Sequence, residues 1–219
     1  MFDPARIVLN LIPMALSLSV HEYAHALVAD RLGDRTPRMQ GRLTLSPLAH
    51  YDLFGTIIVP AVATLLSGFA LIGWARPVEF VPANMTRKLS MRAGGALVAI
   101  AGPLSNLLLA FLAAAALGAV NTWLPAQADG SALSELLRAM FYINIGLCVF
   151  NLLPLPPLDG AHLLPRSFDD LKANIAPYSF ILILILLNVS AIRTVVFDFP
   201  VFFLGRMLAS LFHLSEALG

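Results

Sequence analysis

Charged side chains and cysteines are scarce in this sequence. Only 12% of its 219 residues are Asp, Glu, Lys or Arg, whereas a soluble domain carries about 25%. The single cysteine, Cys148, cannot form a disulfide within the chain. We interpret it as a small apolar residue of a membrane span rather than as a metal ligand. The net charge of +1 and the lack of a basic tail indicate no nucleic-acid partner.

Apolar residues make up 58% of the chain and occur in long runs. In lipid the backbone must satisfy its own hydrogen bonds, so a spanning chain forms helices or a closed barrel. The runs do not alternate with polar residues, and they therefore predict helices. We expect an all-α polytopic membrane protein, surrounded by the lipid bilayer, with one domain over residues 1–219 and five to six transmembrane or re-entrant segments.

The apolar runs give the positions of these segments. Gly33 stands where the first segment should end, as a helix C-cap. After that end, residues 38–45 are expected to form a short β-hairpin, and an unpaired strand edge in 38–46 would hold an extended substrate. The tail is a final span or an interfacial helix. The predicted segments are 7–29, 53–75, 93–120, 139–158, 173–192 and the tail 194–219.

The segment 53–75 is flanked by basic loops on both sides. Arg35, Arg38 and Arg42 precede it, and another basic cluster at 76–92 follows it. Both loops are expected on the cytoplasmic side, which a single crossing cannot satisfy. We therefore predict that 53–75 re-enters the membrane and does not cross it. The competing interpretation is one ordinary span with one basic loop outside.

The first segment contains the sequence His21-Glu22-Tyr23-Ala24-His25. Residues four apart on a helix lie about 40° apart around its axis, so both imidazoles can reach one metal ion. Zn²⁺ suits imidazole and carboxylate ligands. Ionisable groups inside an apolar span are costly unless they are paired, which favours a functional role over chance. Glu22 can act as the general base without binding the metal.

A hydrolytic zinc site needs a third protein ligand and an open position. Asp159 follows a proline-broken apolar stretch, where an acidic residue is well placed to meet a metal. The alternative is that Asp159 caps a following helix at the membrane interface. The remaining histidines, His50, His162 and His213, are interpreted as polar residues in or near loops and the tail.

Three motifs together resemble the site-2 protease family of intramembrane metalloproteases. They are the H-E-x-x-H at 21–25, Ala101-Gly102-Pro103-Leu104-Ser105-Asn106, and Asn151 followed by Pro154-Leu155-Pro156-Pro157-Leu158-Asp159-Gly160. They occur in the family's order within a core of about 7–165, and 173–219 would add C-terminal membrane segments. The resemblance implies one zinc ion per chain, bound by His21, His25 and Asp159. It also implies Glu22 as catalytic base and Asn151 in the substrate cleft.

The expected activity is hydrolysis of peptide bonds in single-span transmembrane substrates, as in regulated intramembrane proteolysis. Glu22 would take a proton from the attacking water, and Asn151 would help to hold the oxyanion. Asn106 is interpreted as satisfying backbone groups opened by Pro103. The positive-inside rule predicts a site that opens to the cytoplasmic side of the plasma membrane. The alternatives are a membrane zinc transporter or sensor, or an inactive scaffold.

Overall fold

The computed structural model describes residues 4–58, 75–128 and 130–214. Within these ranges every regular element is a helix. The first helix ends in a Schellman motif, in which the Asp34 N–H donates to the Ala29 carbonyl and Gly33 adopts φ +106°. The predicted C-cap at Gly33 is thereby confirmed. The α-helices are α1 Pro4–Arg31, α2 Thr36–Met39, α3 Pro47–His50, α4 Met91–Trp123, α5 Ala132–Asn151, α6 Gly160–Leu163, α7 Asp169–Ile175, α8 Ser179–Asn188, α9 Ser190–Arg193 and α10 Phe199–Leu211.

Three long helices, α1, α4 and α5, pack against one another and form the centre of the molecule. On the α1–α5 side, Met14 and Leu18 are buried against Ile143. On the α1–α4 side, Ala29 is buried against Val98. This packing brings the middle of α4 alongside the H-E-x-x-H turn of α1.

The C-terminal helices cover the opposite side of α4 and α5. Leu186 of α8 and Leu208 of α10 are buried in one cluster with Phe141 and Ile145 of α5. Two continuous helical stretches in this region, Arg166–Asn188 and Ser190–Leu211, are long and apolar enough to cross a membrane. Helices Met91–Trp123 and Ala132–Asn151 meet the same criterion, giving four candidate spans in the described chain.

The spans predicted at 93–120, 139–158, 173–192 and 194–219 overlap these four helices, although their ends differ. The segment predicted at 7–29 is helical within α1, and the count of five to six segments stays a prediction. The span predicted at 139–158 is helical from Ala132 to Asn151. It begins earlier because the Ser131 hydroxyl caps it by accepting the Ser134 N–H at 3.2 Å. It ends earlier because the prolines that follow cannot continue a helix. Cys148 is buried inside this helix, as expected for a small apolar residue.

The hairpin predicted at 38–45 is wrong. Residues 38–46 contain the end of α2, a turn at Gly41 with φ +69°, and irregular chain. Pro37 in the first turn starts the short helix, and the Arg42 N–H then donates to the Pro37 carbonyl at 2.8 Å. The alternation of polar and apolar residues here therefore lies in the end of a short helix, a turn and irregular chain, and not in a strand. The expected strand edge in 38–46 is absent with it.

The re-entrant segment predicted at 53–75 lies mostly outside the described residues, which include only Leu53–Ile58, a π-helical turn. Its two flanking loops are described, and they are hydrogen-bonded to each other. The Thr86 N–H donates to the Leu32 carbonyl, and the Arg76 N–H donates to the His50 carbonyl. The two basic loops therefore lie at the same end of α1.

Candidate active site

Helix α1 places two imidazoles on one face. His21 and His25 are one helical turn apart, and both are buried, with 4% and 6% of their surface exposed. Their rings meet edge to face with centroids 4.6 Å apart. Their Nε2 atoms are 3.0 Å apart. This is the arrangement that the H-E-x-x-H spacing predicts.

Asp159 reaches the same point from the chain that follows α5. Its Oδ2 lies 3.2 Å from His21 Nε2 and 3.3 Å from His25 Nε2. The chain folds back tightly here, because a Cβ on Gly160 would overlap the carbonyl oxygens of Leu152 and Leu153. Asp159 does precede helix α6, but its side chain makes no capping hydrogen bond. The carboxylate faces the histidines instead.

The tautomer of His25 is set by a backbone carbonyl. His25 Nδ1 lies 2.7 Å from the Val98 oxygen on α4. A carbonyl oxygen can only accept, so Nδ1 carries a proton, and in the neutral imidazole the Nε2 atom carries a lone pair. That lone pair is directed at His21 and Asp159.

The tautomer of His21 is set by a buried chain of amides. Asn144 Nδ2 donates to the Met140 carbonyl at 2.7 Å and to the Ser17 hydroxyl at 2.8 Å. Asn144 Oδ1 therefore accepts from Asn106 Nδ2, at 2.9 Å. This leaves Asn106 Oδ1 to accept from His21 Nδ1, at 2.6 Å. His21 thus holds its proton on Nδ1 and presents a lone pair at Nε2.

When both imidazoles are neutral, as metal ligation requires, three acceptor atoms converge in this buried site. Asp159 Oδ2 has no hydrogen-bond donor, and the two imidazole nitrogens facing it carry lone pairs. Such a group is repulsive unless a cation lies between its members. Tetrahedral zinc with bonds of about 2.0–2.1 Å has ligand–ligand edges of about 3.3 Å. The edges of 3.0, 3.2 and 3.3 Å between these three atoms fit it.

Gly102 of α4 forms the wall beside the two imidazoles. A Cβ at this position would stand 2.6 Å from His21 Nε2 and would also overlap His25. The glycine therefore gives α4 the close approach that the site requires. One turn further on, the same helix carries Asn106, which holds His21.

Glu22 lies next to the first histidine and is also buried, with 8% of its surface exposed. Its Oε2 accepts the backbone N–H of Val78 at 2.8 Å. This hydrogen bond fixes one carboxylate oxygen and leaves the other to exchange a proton. Val78 belongs to the irregular segment 75–81, which links the first loop region to α4.

The segment 75–81 is itself anchored by Asp34, which is fully buried. Asp34 Oδ2 accepts the Val81 N–H at 2.5 Å, and Asp34 Oδ1 accepts from Thr36 and Asn84. Burial alone would raise the pKa of Asp34, but these hydrogen bonds outweigh it and the pKa is lowered. The anchor is therefore ionised at neutral pH.

The structure does not bring Asn151 to the histidines by a hydrogen bond. Its Nδ2 donates to the Leu147 carbonyl of its own helix at 3.0 Å. The other histidines also lie elsewhere. The ring of His162 packs beside that of Phe80, and His213 follows α10. His50 is buried, and its Nε2 atom is hydrogen-bonded to the Thr44 carbonyl.

Sequence analysis missed the residues behind His21. Asn106 does not satisfy backbone opened by Pro103, as we had interpreted it; its amide links His21 to Asn144. Ser17 and Asn144 were not identified at all. The available signal was the position of two amides inside uncharged spans, where each needs a partner.

The chain is similar in sequence to known metalloproteases. The sequence profile of peptidase family M50 matches residues 118–192. A protein named "Putative zinc metalloprotease YwhC" from Bacillus subtilis is 40% identical over 183 residues, which are 80% of this chain and 78% of that protein. "Putative zinc metalloprotease Rip2" from Mycolicibacterium smegmatis is 30% identical over 196 residues, 86% of this chain and 70% of that protein.

The chain belongs to peptidase family M50, the site-2 protease family. It is accordingly a zinc metalloprotease of the membrane, and its four apolar helices agree with an integral membrane protein. The matched profile includes Asp159 but not the H-E-x-x-H of α1. No solved structure matches the chain significantly.

Proposed function

We propose that this protein hydrolyses peptide bonds of single-span transmembrane proteins within or beside the bilayer. The observation that carries the proposal is the convergence of three lone-pair atoms from His21, His25 and Asp159. A transporter would need further ligands leading across the membrane. Among the described residues, the only group of three or more metal-ligating side chains is this one.

The proposed zinc ligands are His21, His25 and Asp159, and one zinc ion per chain is expected. When bound, zinc would supply Lewis acidity, lowering the pKa of a water and polarising the scissile carbonyl. The histidines are oriented from outside, by the Val98 carbonyl and the Asn106 amide. Such outer partners hold a ligand's tautomer and ring orientation.

Glu22 is the proposed general base. The Val78 N–H holds its Oε2, so Oε1 is the atom that would take a proton from the attacking water. The same atom would then return the proton to the leaving amine. Burial of the carboxylate excludes bulk water that would otherwise compete for this proton.

We also propose that segment 75–81 takes the docking role first expected of 38–46. It is irregular chain outside any helix, and Val78 ties it directly to the proposed base. Among the described residues, the backbone N–H groups of Glu79 and Phe80 have no hydrogen-bond acceptor. A substrate that has locally unwound could pair with this open edge. Its scissile bond would then lie close to Glu22.

The site is proposed to open to the cytoplasmic side of the plasma membrane. His25 lies six residues before Arg31, which is about 9 Å along the helix. The loops joined at this end contain seven of the fourteen lysines and arginines, which favours the cytoplasmic face. Re-entry of 53–75 into the bilayer stays a prediction, and the hydrogen bonds between its two flanking loops support it.

The test compares Glu22→Gln with Glu135→Gln, which makes the same change at an exposed glutamate of α5. Membrane proteomes of cells with each variant are searched for accumulated, uncleaved single-span proteins. Glu22→Gln should keep its zinc but lose at least about a hundredfold in rate, because general-base catalysis contributes 10²–10⁴-fold. Cleavage above that residual rate would refute the base role.

The ligand set is tested with Asp159→Ala and its control Asp170→Ala, an exposed acid nearby. Asp159→Ala should lose zinc under mild chelation, since two histidines alone lack the third ligand of a catalytic site. Asp170→Ala should keep it. Stoichiometric zinc in the Asp159 variant would show that Asp159 is not a ligand.

A further inference from the structure

A cavity of about 420 Å³ lies against the start of segment 75–81. It is formed by the turn after α2, the end of α3 and the start of the segment. These elements belong to the basic loops at the end of α1. The lining side chains on which the argument depends are Gln40, Arg42, Arg76 and Glu79.

Arg42 is a buried cation without a counter-ion. Only 9% of its surface is exposed, and its guanidinium donates to the Ala49 carbonyl. No carboxylate in the described chain forms an ion pair with it, whereas Arg38, Arg92 and Arg193 each have an aspartate. A guanidinium stays charged at any relevant pH. Burying it unpaired is costly, which indicates that an anion completes the site.

Arg76 supplies a second guanidinium to the same cavity. Its backbone N–H donates to the His50 carbonyl at 2.9 Å, next to the Ala49 carbonyl that Arg42 bonds. Its side chain is exposed and has no ion pair in the described residues. Glu79 also lines the cavity, where its carboxylate accepts from Gln40 at 3.0 Å. The net charge of these lining groups is therefore +1, which matches a monoanion.

The cavity is flanked by side chains suited to lipid. Met39, Leu45 and Leu48 expose 77%, 55% and 86% of their surface. A soluble surface rarely leaves neighbouring large apolar residues this open. Beside basic groups at a membrane end, they are typical of a segment that lies in the interface, where anionic headgroups meet acyl chains.

We propose that Arg42 and Arg76 form a binding site for the phosphodiester of an anionic phospholipid in the cytoplasmic leaflet. The buried guanidinium gives the phosphate a fixed, desolvated donor, and the exposed guanidinium completes a fork around its oxygens. Met39, Leu45 and Leu48 lie in the acyl boundary. The site is separate from the zinc ligands and does not depend on the proposed reaction.

The test is titration of the full-length protein in neutral detergent with phosphatidylglycerol, monitored by native mass spectrometry. Phosphatidylcholine and inorganic phosphate are the comparison probes. Phosphatidylglycerol should bind most tightly, at one high-affinity site. Neutral detergent carries no surface charge, so diffuse attraction is weak and a direct hydrogen bond to a charged group, which contributes about tenfold or more, dominates. Arg76→Gln should therefore lose about tenfold in affinity, and the double variant with Arg42→Gln about a hundredfold or more.

Arg87→Gln is the matched control, since Arg87 is an exposed arginine of the same loop outside the cavity. It should change the affinity by less than about twofold. Because Arg76 is exposed, the Arg76→Gln protein should fold even if the Arg42→Gln protein does not, so the site can be tested with Arg76→Gln alone. An equal loss of lipid affinity in the Arg87 variant would show that the effect comes from diffuse positive charge, and it would overturn the proposed site. Equal binding of phosphatidylcholine, or of inorganic phosphate, would overturn the assignment to anionic lipid.

Discussion

Gly102 is in close steric contact with both histidines. Gly102→Ala adds one methyl group, which would stand 2.3 Å from His25 Nε2 and 2.6 Å from His21 Nε2. Ordinary van der Waals contact begins at 3.4 Å. The histidines or α4 must therefore move by about 0.8–1.1 Å, whereas zinc ligands tolerate about 0.2 Å.

The expected result is loss of zinc without loss of the fold. Alanine is favoured over glycine inside a helix by about 0.8–1.0 kcal/mol, so the helix itself gains stability. Disturbing even the outer partners of a zinc ligand costs about 10–100-fold in affinity. Displacing a ligand itself should therefore cost at least about 100-fold in zinc affinity. Proteolysis should fall in proportion to the zinc that is lost.

The assay measures zinc per chain after competition with a graded series of chelators, with circular dichroism as the check on folding. Gly95→Ala is the control, two turns earlier on the same helix. A Cβ there would meet Phe80 at 3.9 Å, an ordinary contact. It should keep wild-type zinc affinity. If Gly102→Ala also keeps it, the metal does not lie between these histidines and α4.

Three further variants test the surroundings of the site. Asn106→Ala removes the acceptor of the His21 Nδ1 proton and should weaken zinc binding about 10–100-fold in chelator competition; unchanged affinity would mean that something else orients His21. Asn151→Ala should keep zinc but slow turnover about 10²–10³-fold if its amide holds the oxyanion, and normal kinetics would leave it a helix-packing residue. Asp34→Asn should lower the melting temperature at pH 7. The pKa of Asp34 is lowered in the folded protein, so its carboxylate stabilises the fold at pH values above the unfolded pKa of about 3.9. This stabilisation is lost as the pH falls through the lowered pKa. The difference from wild type should shrink in acid, and a constant difference would contradict the role.

The sequence predicts the helices and the metal-binding group because both depend on short-range patterns. A long apolar run specifies a span, and two histidines one turn apart specify a shared ligand position. Asp159 was harder, because its approach depends on a tight backbone turn at Gly160. The motif still identified it, since the prolines before it mark the end of the helix.

The outer contacts of the site could not be predicted in the same way. The Glu22 carboxylate bonds a backbone N–H that is 56 residues away in the chain. Any residue other than proline can supply such a donor, so no sequence pattern marks Val78. The hairpin failed for a related reason. A few alternating residues are too short a pattern to specify a strand, and here the chain forms a short helix at Pro37 and then turns at Gly41.

The hydrogen bond from Val78 to Glu22 also makes a backbone amide a spectroscopic reporter of the proposed catalytic base. Protonation of the carboxylate weakens it as an acceptor, so the Val78 amide proton should shift upfield as Glu22 gains a proton. Isotope labelling of valine would place this signal among few others. The resonance could then follow proton transfer in the resting enzyme, with no substrate identified and no turnover required.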